Sequence, residues 1–215
     1  MVKIPVGKFV MGTETRKDAP LHQVEISRRF SMSKTEVTQE LWKAVMGNNP
    51  SNRKNCAQCP VENVSFYDVQ DFLKRLYIMT GKKYRLPTEA EWEFAASGGS
   101  NPDLTYVNAS NLSRLSYYGA NSGNRTNPVA SKRPNKLGLY DMLGNVGEWC
   151  LDWYDDEFYK DGQTNPYNRN KGIAASKVVR GASYQSVGEN VRVYNRAAMA
   201  PSKKRSTIGF RVVLD

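Results

Sequence analysis

Residues 178–213 constrain this chain more than any other stretch. The run opens on Val178-Val179-Arg180-Gly181-Ala182-Ser183-Tyr184 and closes on Ile208-Gly209-Phe210-Arg211-Val212-Val213. β-Branched residues alternate with polar ones at both ends, the pattern of strands. Gln185 to Ala200 mixes small, polar and aromatic side chains with no steady period, as loops and exposed faces do. Two stiff borders therefore frame a segment whose side chains are not dictated by packing. A ligand-binding face, supported by the rest of the chain, is the reading that follows.

Three helices are written clearly upstream. Thr38 to Met46 sets Leu41, Trp42 and Val45 on one side before Gly47-Asn48-Asn49-Pro50 stops it. Ser65 with Asp68 reads as a cap, followed by a stripe of Phe66, Val69, Phe72, Leu73, Leu76 and Tyr77 that ends at Gly81. Thr88-Glu89-Ala90-Glu91 is a capping box, with Trp92, Phe94 and Ala95 as its apolar side. Short strands are expected within residues 4–33, at Gly7–Gly12, His22–Ser27 and Phe30–Ser33, and another between Trp149 and Trp153. Residues 100–136 show no pattern and are expected to be packed by Tyr106, Tyr117 and Tyr118, while Asp155 to Ala175 reads as polar loop. The sum is one α+β domain over residues 1–215 with much irregular loop.

A length of 215 residues is enough to bury a core without staples. No apolar run approaches the roughly 18 residues of a membrane span, and no secretory signal is visible. The net charge of +10 raises the odds of an anionic partner. That charge is dispersed, however: the densest cluster is Lys203-Lys204-Arg205, without a nucleic-acid motif, so a solvated basic face is the better reading. Cys56 and Cys59 lie in a loop, Cys150 stands apart, and His22 is the only histidine. A structural zinc needs four ligands and is not supported. The pair is either a small local disulfide, the favoured reading, which fits an oxidising compartment, or two free thiols.

Several segments together resemble one family. They are Ile4-Pro5-Val6-Gly7-Lys8-Phe9-Val10-Met11-Gly12, Glu36-Val37-Thr38, Pro60-Val61-Glu62-Asn63-Val64-Ser65 and Arg85-Leu86-Pro87-Thr88-Glu89-Ala90-Glu91-Trp92-Glu93. Gly138-Leu139-Tyr140-Asp141-Met142, Gly144-Asn145-Val146-Gly147-Glu148-Trp149, Arg180-Gly181-Ala182-Ser183 and Gly209-Phe210-Arg211 complete the set. This ordered series, covering nearly the whole chain, resembles the formylglycine-generating-enzyme, or sulfatase-modifying-factor, family. The resemblance implies a variant of the C-type lectin fold, with small sheets, two helices and much loop.

The family's enzyme holds copper with two cysteines in the segment after Arg-Gly-x-Ser, because copper(I) wants soft thiolates. The matching positions here carry Ser186 and Val191, and no cysteine follows Cys150. Another branch uses iron held by histidines, which one histidine cannot supply. The resemblance therefore implies a non-enzyme, similar to the variable proteins of diversity-generating retroelements. In those, template adenines, largely in asparagine codons, are mutated in a C-terminal segment while the framework stays fixed.

The variable region then spans about 180–211, with ligand-binding residues Tyr184, Ser186, Gly188, Asn190, Tyr194, Asn195, Ala197, Ala198, Ala200, Ser206 and Thr207. All are reachable from an asparagine codon or are unchanged copies of one; Gln185, Glu189, Met199 and Lys203 are not easily reached. Tyrosine offers large contact area at little entropy cost, against half-buried core packing for Tyr184 and Tyr194. Arg180, Arg196 and Arg211 read as framework.

The partner implied is a protein or other macromolecule, with no specific nucleic acid, no membrane span and no cofactor. Asn145 and Glu148 match a place where some members bind calcium, so a structural calcium stands there against a turn closed by hydrogen bonds. A lipid-anchored bacterial protein at the cell surface, with its leader removed, rests on the resemblance only. The alternative is an enzyme or enzyme accessory of this family with other chemistry, which would show a bound metal or a closed pocket beside residues 184–200. No Gly-x-Ser-x-Gly elbow and no phosphate-cradling glycine loop is present.

Overall fold

The computed structural model describes residues 1–99 and 111–215. Eleven short strands and four helices are found among them, in three small sheets. One sheet joins β1 (Val2–Ile4), β4 (Phe30–Met32), β11 (Val213–Leu214) and β5 (Tyr84–Arg85), in that order, so the last strand of the chain is held between early ones. A second is β2 (Gly7–Met11), β3 (His22–Ile26) and β7 (Gln163–Thr164). The third carries the C-terminal segment, in the order β10 (Ile208–Gly209), β6 (Gly147–Trp153), β8 (Lys177–Arg180), β9 (Arg196–Met199).

The three expected helices form where their caps place them. Helix α1 (Gln39–Met46) starts at Thr38, whose hydroxyl accepts the Leu41 N–H, and stops at Gly47. Helix α2 (Phe66–Thr80) has a reciprocal box between Ser65 and Asp68 and ends at Gly81. It buries Phe66, Val69, Phe72, Leu73 and Leu76, while Tyr77 is exposed. Helix α3 (Glu89–Ala96) has the Thr88–Glu91 box and is buried on almost every side. One apolar cluster joins α3 to β2 and β3; a second joins α1 and α2 to β6 and Phe210. A third is small, with Leu112, Leu115, Leu143, Ala182 and Val191.

Several expectations need correction. Strand β1 begins at Val2, ahead of the first expected strand. Residues 155–175 contain β7, a two-residue strand held parallel to β3. Residues 185–200 are not all loop, because β9 pairs antiparallel with β8 over four residues. Within 100–136, Tyr106 lies outside the described residues. The described part is anchored by a short helix, α4 (Leu112–Leu115), whose leucines, rather than the half-buried Tyr117 and Tyr118, are buried. The favoured reading of the cysteine pair, in contrast, holds: Cys56 and Cys59 are bridged, with Cα atoms 5.2 Å apart. Among the described residues no helix is long and apolar enough to cross a membrane.

Candidate ligand-binding face

The C-terminal segment is tied down by three buried arginines. Arg180, at the end of β8, is completely buried. Its guanidinium pairs with Glu89 at 3.2 Å and with Glu93, donates to the carbonyls of Val193 (2.9 Å) and Tyr194 (3.2 Å), and lies 5.3 Å from the Trp92 ring. Arg196, at the start of β9, donates twice to Glu89, at 2.7 and 2.8 Å, and once to the Asp18 carbonyl at 2.6 Å. Arg211 grips Glu148 with two bonds of 2.7 Å, and Trp92 Nε1 adds a third at 2.7 Å. Such pairs are costly to desolvate and hold only when matched charge for charge. Both ends of the segment are thereby fixed to α3 and β6 by side chains that point inward.

The frame is extended by carboxylates that receive backbone donors. Asp152 accepts the N–H groups of Glu89 and Asn168, each at 2.8 Å, and burial, with the Glu89 charge second, pushes its pKa up to about 7. Glu36 accepts the Val146 N–H at 3.0 Å and the Asn145 amide at 2.9 Å. Burial first, then the charges of Asp141 and Glu148, hold its carboxyl well above the usual range. Asn145 in turn accepts the Asn127 N–H at 2.9 Å, and its carbonyl accepts the Tyr184 N–H at 2.8 Å. Both Glu148 oxygens are engaged by Arg211 and Trp92. The side chains of Asn145 and of Glu148, the latter in β6, are thus engaged by hydrogen bonds within the chain.

Above this frame the expected site residues divide. Tyr184 is 7% exposed, and its hydroxyl lies 3.2 Å from Ser206 Oγ. Of the two readings open for Tyr184, anchor or core packing, this burial fits packing. Ser186 is half-buried and its hydroxyl accepts the Ser183 N–H at 2.9 Å. Gly188 begins a 3-10 turn (Gly188–Asn190), and its carbonyl accepts Arg192 at 3.1 Å. Asn190 is exposed, and its carbonyl accepts the Asn195 amide at 2.6 Å. Asn195 also accepts from Arg16. Tyr194, Ala200, Ser206 and Thr207 are half-buried. Ala197 and Ala198 are both exposed on β9, with their side chains on opposite faces of the strand. Contacts join Tyr184 to Ser206 and Asn190 to Asn195; Asn190, Ala197 and Ala198 are the members turned most to solvent.

One feature of this face is absent from the sequence reading. A groove of about 500 Å³ is lined by Leu112, Tyr118, Val187, Gly188, Glu189 and Arg192. Only Gly188 was a candidate. Val187 is 61% exposed, a lone apolar side chain in a polar stretch. That is a weak signal, and nothing in the sequence brings Leu112 and Tyr118 beside it. Ser186 is tied to Ser183, and Val191 is fully buried in the third apolar cluster.

The family described as "Sulfatase-modifying factor enzyme 1-like domain" matches residues 1–215. Among solved structures, "Treponema denticola variable protein 1" superposes with a TM-score of 0.90 at 30% identity, covering 100% of this chain and 94% of that one. "Structure of PvdO from Pseudomonas aeruginosa" follows at 0.85 and 28%, covering 99% and 93%. The formylglycine-generating enzyme of Streptomyces coelicolor is 34% identical over 182 residues, 73% of this chain and 52% of that protein. The chain spans between 24% and 62% of the length of the curated relatives it matches. The architecture is the expected α+β, C-type lectin-like fold.

Proposed function

The chain belongs to the sulfatase-modifying factor enzyme 1-like family, and we propose that it is a non-catalytic member that binds ligands through the outer side of residues 181–207. The observation that carries this reading is the direction of the side chains. Arg180, Arg196 and Arg211 hold the segment from within, while Asn190, Ala197 and Ala198 are exposed and their side chains make no hydrogen bond among the described residues. These exposed side chains can therefore change without loosening the buried anchors. The full-length likeness to a protein called a variable protein supports the same reading.

In this reading a retroelement diversifies the face at Ser186, Gly188, Asn190, Tyr194, Asn195, Ala197, Ala198, Ala200, Ser206 and Thr207, and Tyr184 varies least because it is packed. The partner is a protein or another macromolecule, and no cofactor takes part. A serine and a walled-in valine stand where the family's enzyme needs thiolates. A lipid-anchored position at the cell surface belongs to the proposal, and the Cys56–Cys59 disulfide fits such an oxidising setting.

The DNA beside the gene tests it. A near-copy of the codons for Val178 to Asp215, differing at template adenines and lying next to a reverse transcriptase, is the expected finding. Gene copies that differ evenly along the chain, with no such repeat, would overturn diversification.

A further inference from the structure

Among the described residues, strand β9 closes one side of its sheet and β8 is the only strand paired with it. The register sets Val179 opposite Ala197 and Val178 opposite Ala198. In an antiparallel pair, successive residues turn their N–H and C=O groups alternately toward the partner and away. One of Ala197 and Ala198 therefore presents both groups outward. No hydrogen bond from the described residues reaches the outer side of Ala197, Ala198 or Met199. Both alanines are exposed. Soluble proteins usually guard such an edge with lysine, proline, a bulge or a covering loop. Arg196-Ala197-Ala198-Met199 has no lysine, no proline and no register shift, and the charge of Arg196 is turned inward onto Glu89.

A row of unpaired amides and carbonyls is complementary to another extended backbone. The charges where β9 ends narrow the choice. The chain leaves the strand through Ala200 and Pro201 into Lys203, Lys204 and Arg205, all exposed. Lys204 pairs with Asp68 at 2.8 Å, whereas Lys203 and Arg205 have no ion pair among the described residues.

We propose that β9 is a docking edge on which an extended segment of a partner protein adds as a further strand, with acidic residues of that segment set against Lys203 and Arg205. This rests on the ligand-binding reading and deepens it. Main-chain bonds hold the partner whatever side chains occupy positions 197 and 198. Those two side chains then select among partners without having to supply the affinity.

The test selects a random-peptide library against the full chain and follows the dominant peptide by residue-resolved amide exchange. The outward amide of Ala197 or Ala198 is expected to slow by about tenfold or more on binding. A peptide methylated at alternate backbone nitrogens, in one of its two phases, is expected to bind at least about tenfold more weakly. Lys203→Glu with Arg205→Glu, both exposed changes, is expected to weaken binding by a similar factor. The proposal is overturned if no peptide is enriched, if the β9 amides exchange unchanged, or if methylation is harmless and heparin alone competes, which would make this a site for polyanions. Gene copies that vary at 197 and 198 while β9 stays unprotected would remove the docking edge and leave the display reading standing. Protection of β9 in a chain whose copies do not vary would do the reverse.

Discussion

Arg196 lies flat against Glu89, with Nε 2.7 Å from one carboxylate oxygen and a terminal nitrogen 2.8 Å from the other. Paired bonds of this kind fix orientation as well as distance. Glu89 also takes Arg180 at 3.2 Å and the Tyr159 hydroxyl at 3.0 Å. One carboxylate on α3 thus fixes the end of β8, where the segment read as the binding face begins, and the start of β9 within it.

Glu89→Gln is expected to destabilise the protein by roughly 3–5 kcal/mol, because two buried guanidiniums lose their shared counter-charge. Urea unfolding measures this. A loss below about 1 kcal/mol, typical of an exposed pair, would mean that the frame is held by something else.

Much of this frame is visible in the sequence as separate residues. The capping boxes at Ser65 and Thr88 and the stripe along α2 place three helices because local chemistry alone decides them. Arg180, Arg196 and Arg211 read correctly as framework. Their partners do not, because Glu89, Glu93 and Glu148 lie far away along the chain and look like ordinary helix and turn residues. Strand β9 is hidden for a related reason. Arg196-Ala197-Ala198-Met199 has neither β-branched residues nor alternation, and becomes a strand through β8 and the anchoring of Arg196. Tyr184 reads equally as a binding anchor or as half-buried packing; its hydroxyl meets Ser206 and its N–H meets the Asn145 carbonyl, so burial costs it little.

The contribution of two buried carboxyls to stability should fall as pH rises through the weakly acidic range. Burial pushes Asp141 up to about 6 and Asp152 up to about 7, against about 3.9 in an unfolded chain. The folded state therefore binds these protons more tightly, and its advantage is present at low pH and lost between about pH 4 and 7. Asp141→Asn removes one of these groups. The amide oxygen can still accept the Ala130 N–H, now 2.8 Å from the carboxylate, and asparagine tolerates the positive φ of 61°. The variant should gain on the order of 2 kcal/mol at pH 8 relative to pH 4, read from unfolding curves at both. A difference that does not change with pH would contradict this.

Gly209 and Gly188 should respond oppositely to a methyl group. A Cβ on Gly209 would stand 2.4 Å from the Val61 carbonyl oxygen and 3.0 Å from a Val146 methyl, whereas one on Gly188 meets the Tyr118 ring at 3.5 Å and a Leu112 methyl at 3.9 Å, both ordinary contacts. Gly209→Ala should cost about 1–3 kcal/mol or more. Gly188→Ala should stay within roughly 0.5 kcal/mol. Thermal unfolding of the two single variants compares them directly.

The most direct measurement of the central claim is to randomise Asn190, Ala197 and Ala198 together and, separately, Glu89, Arg180 and Arg196, and to count folded members of each set by resistance to proteolysis. The account expects most of the first set to stay folded, with melting temperatures within about 4 °C of the parent, and few of the second to fold at all. Equal losses in the two sets would contradict a face whose side chains are free to vary over a frame that is not.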